Sequence, residues 1–194
     1  MTFSYTLDRK NRHLIIDEGS TEIPSRMFQN EDTFDTVLLP ETLLTIGERA
    51  FEDTSIDAIT IPDSVEFIGD HAFGGTQDLA YAKLPKGLKS IPQSIFQIGS
   101  WSGDGWPDLE VVWPDEVIEI EYGAFKWFRN LSSLELPDSI EIIGDSAFEY
   151  SGYRVSEYGP LSLPDNLKSI HDDAFHGLQG IGTHLVVPEK VVFI

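Results

Sequence analysis

Apolar positions in this chain recur in one long pattern: an apolar residue and a proline are followed six residues later by isoleucine and eleven later by phenylalanine. The fullest copies read LPETLLTIGERAF (Leu39 to Phe51), IPDSVEFIGDHAF (Ile61 to Phe73), LPDSIEIIGDSAF (Leu136 to Phe148) and LPDNLKSIHDDAF (Leu163 to Phe175). Looser copies are LPKGLKSIPQSIF (Leu84 to Phe96) and WPDEVIEIEYGAF (Trp113 to Phe125), and a degenerate first copy, Ile16 to Phe28, holds Asp17 in the proline place. From Asp17 through Pro40, Pro62, Pro85, Pro114, Pro137, Pro164 and Pro188 the steps are 23, 22, 23, 29, 23, 27 and 24 residues. A period of this size indicates a solenoid of stacked units.

Within each unit the polar and apolar positions predict the elements. Alternation before the proline, as in Leu134-Glu135-Leu136, reads as a strand with apolar side chains inward and the intervening ones in solvent. Proline ends the strand because it has no N–H for the ladder. The next apolar pair, Val65 and Ile68 or Ile140 and Ile143, turns the chain back inward. Gly69 and Gly144 are expected at the tight corner, and Asp70 or Asp145 caps a single helical turn that ends in Ala-Phe. Phe28, Phe51, Phe73, Phe96, Phe125, Phe148 and Phe175 then form one aromatic column, with Phe28 its weak end beside the degenerate copy. Phe3 to Leu7 and His13 to Ile16 flank the polar Asp8 to Arg12, a hairpin suited to cover the open end. No linker divides the chain, so it reads as one domain over 1–194: a cap at 1–16, about seven repeats at 16–187 and a partial repeat at 188–194.

A second apolar residue three before the proline and a third six before it complete the consensus LxxLxLPxxLxxIGxxAF, as in Phe34, Val37, Leu39 and Ile56, Ile59, Ile61. In this the chain resembles the BspA-like, or Treponema-type, leucine-rich repeats, a surface-protein and interaction family. The resemblance runs from about Leu14 to Ile194. It implies an α/β repeat solenoid, a leucine-rich-repeat right-handed superhelix with a parallel concave β-sheet and short helical turns or short strands on the convex side. It also implies a noncatalytic recognition or adhesion role at the cell surface.

Composition narrows the partners. A net charge of −20, from 33 acidic against 13 basic residues, argues against nucleic acid and against anionic membranes, since both need clustered Lys and Arg. The surplus acts as a solubilising surface or recruits a basic partner. No apolar run approaches the roughly 20 residues of a membrane span. No leader is visible, which places the chain in the cytoplasm by default and outside the cell if a leader was removed. With no cysteine there is neither a disulfide framework nor zinc-thiolate chemistry.

Candidate binding residues fall on two insertions and one face. The insertion Gln97 to Asp108 carries Trp101 and Trp106 among glycines, aromatic residues suited to protein or sugar contact unless they fold back over the convex surface. A second insertion, Glu149 to Tyr158, brings Tyr150, Tyr153 and Tyr158, with packing of at least one Tyr as the alternative. The concave sheet is expected to expose Leu38, Thr60, Tyr81, Lys83, Glu110, Val112, Ser133, Glu135 and Ser162, a mixed surface without a nucleophile and its base. Acidic residues after proline, Glu41, Asp63, Asp115, Asp138, Asp165 and Glu189, are interrupted by Lys86. They form no calcium loop and read as solvated edge charge. His171 and His176 lie on a polar turn, and the five histidines show no metal-ligand spacing. The expectation is a monomeric interaction module with a protein or glycan ligand, no cofactor, no metal and no catalysis. The alternatives are a spacer segment of a larger surface protein and, least favoured, an enzyme using the insertions.

Overall fold

The computed structural model describes residues 3–99, 107–128, 135–152, 163–178 and 187–193. Its strands are β1 (Tyr5–Asp8), β2 (His13–Ile16), β3 (Glu22–Ile23), β4 (Thr36–Leu38), β5 (Thr45–Ile46), β6 (Ala58–Thr60), β7 (Phe67–Ile68), β8 (Tyr81–Lys83), β9 (Ser90–Ile91), β10 (Glu110–Val112), β11 (Glu119–Ile120), β12 (Ile142–Ile143), β13 (Ser169–Ile170) and β14 (Val192–Phe193). They form a β-solenoid with a leucine-rich-repeat fold, whose described turns build three walls.

The first wall is the sheet β1-β2-β4-β6-β8-β10, parallel from β2 onward. β1 lies antiparallel to β2, with Tyr5 opposite Ile16 and Asp8 opposite His13. This hairpin places Phe3 and Tyr5 over Phe28, with the Tyr5 ring edge-on at 5.1 Å. The second wall holds the two-residue strands around the isoleucine of each unit, in the sheets β3-β5-β7 and β9-β11-β12-β13-β14.

The third wall corrects the expected helical turns and with them the α/β class: no helix occurs among the described residues. The cause is backbone conformation. Three residues after each isoleucine, Arg26, Arg49, His71, Ser94, Gly123, Ser146 and Asp173 have φ between +53° and +60°. A second left-handed residue follows in nearly every turn, at Asn30, Asp53, Gly75, Trp127, Tyr150 and Gly177. An α-helix needs every residue near φ −60° and N–H groups directed four residues back. Here alternate N–H groups leave the turn and bond to the next one: Phe51 to Ala72 at 2.8 Å, Phe125 to Ala147 at 2.8 Å, Phe148 to Ala174 at 2.8 Å. The residues between them bond three back within their own turn, as Ala72 does to Gly69. Asp70 and Asp145 therefore cap no helix.

The corner glycines act differently from the expectation as well. Gly47, Gly69 and Gly144 are not left-handed. A Cβ on Gly47 or Gly69 would lie 2.4 Å from a backbone nitrogen of the preceding turn, so these glycines let turns approach closely.

Inside, Ile56, Ile59, Ile61, Val65, Ile68, Ala72 and Phe73 of one unit are all buried, and their equivalents follow in register. The phenylalanines stack as one column, with centroid separations of 5.4 Å for Phe28–Phe51, 5.3 Å for Phe51–Phe73, 5.2 Å for Phe125–Phe148 and 5.4 Å for Phe148–Phe175. Covered by Phe3, Tyr5 and Phe34, Phe28 is buried and is not the weak end; Phe175 is only half-buried.

Candidate interaction surface

Three-residue strands with one inward side chain leave two outward rows on the first wall. Val37, Ile59 and Ala82 point into the core, and the residues on either side of each face out. Strand register lines them up. His13, Thr36, Ala58, Tyr81 and Glu110 form one row. In the other, Ile15 stands beside Leu38, and Thr60, Lys83 and Val112 continue in sequence. Leu38 is 53% exposed, a large apolar side chain left in solvent by its strand. Near the prolines the rows open into a cleft of about 250 Å³ lined by Val37, Leu38, Leu39, Glu41, Thr60, Pro62, Asp63 and Lys83.

Of the residues expected to bind, Tyr81, Lys83, Glu110 and Val112 are brought together on β8 and β10. Glu135 occupies the repeat position of Lys83 and Val112 and is exposed. Trp101, Trp106 and Tyr153 lie outside the described residues, as do Ser133, Tyr158 and Ser162. Tyr150 packs instead, its ring stacked on Trp127 at 4.4 Å and its hydroxyl 3.0 Å from His176 Nε2. The sequence reading missed Ile15, Thr36 and Ala58 as members of the rows. Their alternation with buried neighbours was the available signal, and only register joins them to Tyr81 and Lys83.

Electrostatics separates this wall from the other two. On the third wall Arg26 reaches Glu48 at 3.3 Å, Arg49 reaches Glu52 at 2.7 Å, and Lys126 pairs with Glu149. Burial pushes the Glu149 carboxyl up, but hydrogen bonds from Lys126 and Ser146 and the Lys126 charge bring it below its ordinary value, keeping this inter-turn staple ionised. On the second wall Lys168 reaches Glu141 at 2.6 Å and Lys89 pairs with Glu116, again between turns. Lys86, which interrupts the acidic positions after proline, is no simple break. Its backbone N–H holds the Asp63 carboxyl below the usual range, helped by the Lys86 and Lys83 charges, and its ammonium lies 3.5 Å from Asp63. By contrast Tyr81, Lys83 and Glu110 have no side-chain hydrogen bond or ion pair among the described residues.

No group of three or more His, Asp or Glu side chains among the described residues could hold a metal ion, and no helix there is long and apolar enough to cross a membrane. His171 stands 3.9 Å from Asp145 and His176 3.8 Å from Asp173, each with a single carboxylate on the surface.

The repeat geometry matches a known family, the BspA type leucine rich repeat region, in six copies over residues 2–101 and 109–194. The chain belongs to this family. Among solved structures, a leucine-rich repeat protein from Bacteroides ovatus is 26% identical, with a TM-score of 0.67 over 80% of this chain and 38% of its own. A leucine rich cell surface protein from Faecalibacterium prausnitzii, 24% identical, gives 0.52 over 91% of this chain and 54% of its own. The T. pallidum leucine rich repeat protein, 23% identical, gives 0.54 over 98% and 82%. The latter two likenesses are of fold alone. The chain spans less than two thirds of the first two structures it resembles. No curated protein matches it.

Proposed function

We propose that this BspA-type repeat is a noncatalytic interaction module that holds a protein or glycan ligand on the outward face of its first wall. The observation that carries this is the division between walls. Several charged side chains on the second and third walls are engaged between turns, whereas Tyr81, Lys83 and Glu110 have no ion pair among the described residues and stand beside the exposed Leu38. An exposed apolar and aromatic patch with free polar groups at its margin is what a recognition face requires. The cell-surface description of the Faecalibacterium neighbour agrees with such a role. Trp101, Trp106 and Tyr153, from the two insertions, are further proposed contacts to that ligand.

Immobilised extracellular-matrix proteins and purified bacterial and animal glycans provide the test panel. Leu38→Asp places a charge in the centre of the face without touching the core. It is expected to weaken binding to any ligand in the panel by at least about tenfold, the scale of one central contact, with the melting temperature within about 2 °C of the parent. Binding that survives Leu38→Asp together with Lys83→Glu would refute the assignment. A second reading, a spacer in a longer surface array, is favoured by the 38% coverage of the Bacteroides neighbour. It predicts that no panel member binds.

A further inference from the structure

The second wall is interrupted between the Phe73 and Phe96 turns. Elsewhere on it, N–H groups four, five and seven residues after the proline bond back to the preceding turn. Glu66 and Phe67 donate to the Leu44 carbonyl and Gly69 to that of Ile46; Glu141 and Ile142 donate to Ile118 and Gly144 to Ile120. In the Phe96 turn the seventh place is Pro92, which has no N–H to give. The loss extends beyond that one bond, because neither Lys89 nor Ser90 donates to the preceding turn either. β7 and β9 are edges of separate sheets, and no Cα of one lies within 8 Å of the other.

Three further features converge on this place. The column phenylalanines are farthest apart here, 6.2 Å between Phe73 and Phe96 against 5.3 Å in the preceding pair and 5.6 Å in the next. Ile95 stands buried where neighbouring turns hold Ala50, Ala72, Ala124 and Ala147, adding volume at the wider interface. Phe67, on the open edge, is 58% exposed. The other walls remain closed. β6 pairs with β8 along its length, and His71, Phe73 and Gly75 donate to Gln93, Ile95 and Gln97 at 3.0, 3.1 and 2.8 Å.

The geometry points to a hinge built into the solenoid at Pro92, about which two half-solenoids bend by opening and closing the seam between β7 and β9. The first and third walls resist stretching because extension would break their hydrogen bonds. The second wall can widen or narrow there without breaking any backbone–backbone hydrogen bond between β7 and β9, the Lys86 N–H bond to the Asp63 carboxylate crossing only at the corner beside the first wall. The inference stands whether or not the first wall binds a ligand.

The absence of native cysteine allows clean spin labelling. Labels at Thr45→Cys and Glu119→Cys span three strand steps across the seam, and labels at Ser90→Cys and Ser169→Cys span three steps that avoid it. All four positions share one repeat place. Pulsed dipolar spectroscopy is expected to give a distance distribution at least about twice as wide for the first pair. Pro92→Gly restores the N–H and allows the close approach seen at Gly47 and Gly69. It should narrow the first distribution to the width of the second and shorten its mean. Pro92→Ala, which restores the N–H with little added chain freedom, serves if the glycine variant does not fold. Equal widths in the parent protein would overturn the hinge, as would a wide distribution indifferent to substitution at Pro92.

Discussion

Phe125 sits 5.6 Å from Phe96 and 5.2 Å from Phe148, buried completely, with Trp113 tilted against it at 5.6 Å. Removing such a ring leaves a cavity bounded on both sides, which costs about 3–5 kcal/mol for Phe→Ala. Phe28 has neighbours on both sides too, because the hairpin brings Phe3 and Tyr5 over it. Phe175 is half-buried, with Phe148 stacked on one face. Chemical denaturation should therefore rank Phe125→Ala and Phe28→Ala together as severe, with Phe175→Ala milder by about 1–2 kcal/mol. Equal losses at Phe125 and Phe175 would contradict stacking as the source of stability. The column was legible in the sequence because its spacing from each proline never varies. The protection of Phe28 was not, since it depends on where a hairpin outside the repeat comes to rest.

At the scale of elements, strands and backbone turns differed in what the sequence disclosed. Strands before proline alternate with period two, so β4, β6, β8 and β10 could be read directly. The third wall depends on two left-handed residues in nearly every turn, and Arg49, Ser94 and Ser146 carry no glycine or asparagine signature for that conformation. Local residues Gly-Asp and Ala-Phe suggested a helical turn; hydrogen bonds to the next turn decided otherwise. Glycine was misread for the same reason, since close approach between turns is a property of neighbours some 22 residues away. A paired substitution separates the two roles. Gly69→Ala drives a Cβ toward the Glu48 backbone and is expected to cost more than about 2 kcal/mol, whereas Gly87, with nothing within 4 Å, should accept alanine with a change of about ±0.5 kcal/mol. Urea melts of the two variants check this, and a harmless Gly69→Ala would remove close packing as the reason for the glycine.

For the whole molecule, the net charge of −20 exceeds what the inter-turn staples neutralise. Exposed ion pairs contribute roughly 0–1 kcal/mol each, while like charges repeated every turn stand at about the strand spacing of 5 Å, well inside the Debye length of about 10 Å at 0.1 M salt. Raising sodium chloride from low to molar concentration should therefore increase the melting temperature. Calcium at matched ionic strength should add little, and a calcium-specific rise saturating at low concentration would mean that these carboxylates form a metal site. The alternation of the first wall was legible residue by residue; the cleft joining Leu38, Asp63 and Lys83 was not, because it exists only in register between three turns. The placement of the interaction face on the first wall is the central claim. It is tested most directly by the hydrogen-exchange footprint of the chain bound to a ligand from the protein and glycan panel. Added protection is expected in β4, β6, β8 and β10, with exchange on β11, β12, β13 and the third wall unchanged. Protection confined to the second or third wall would contradict it.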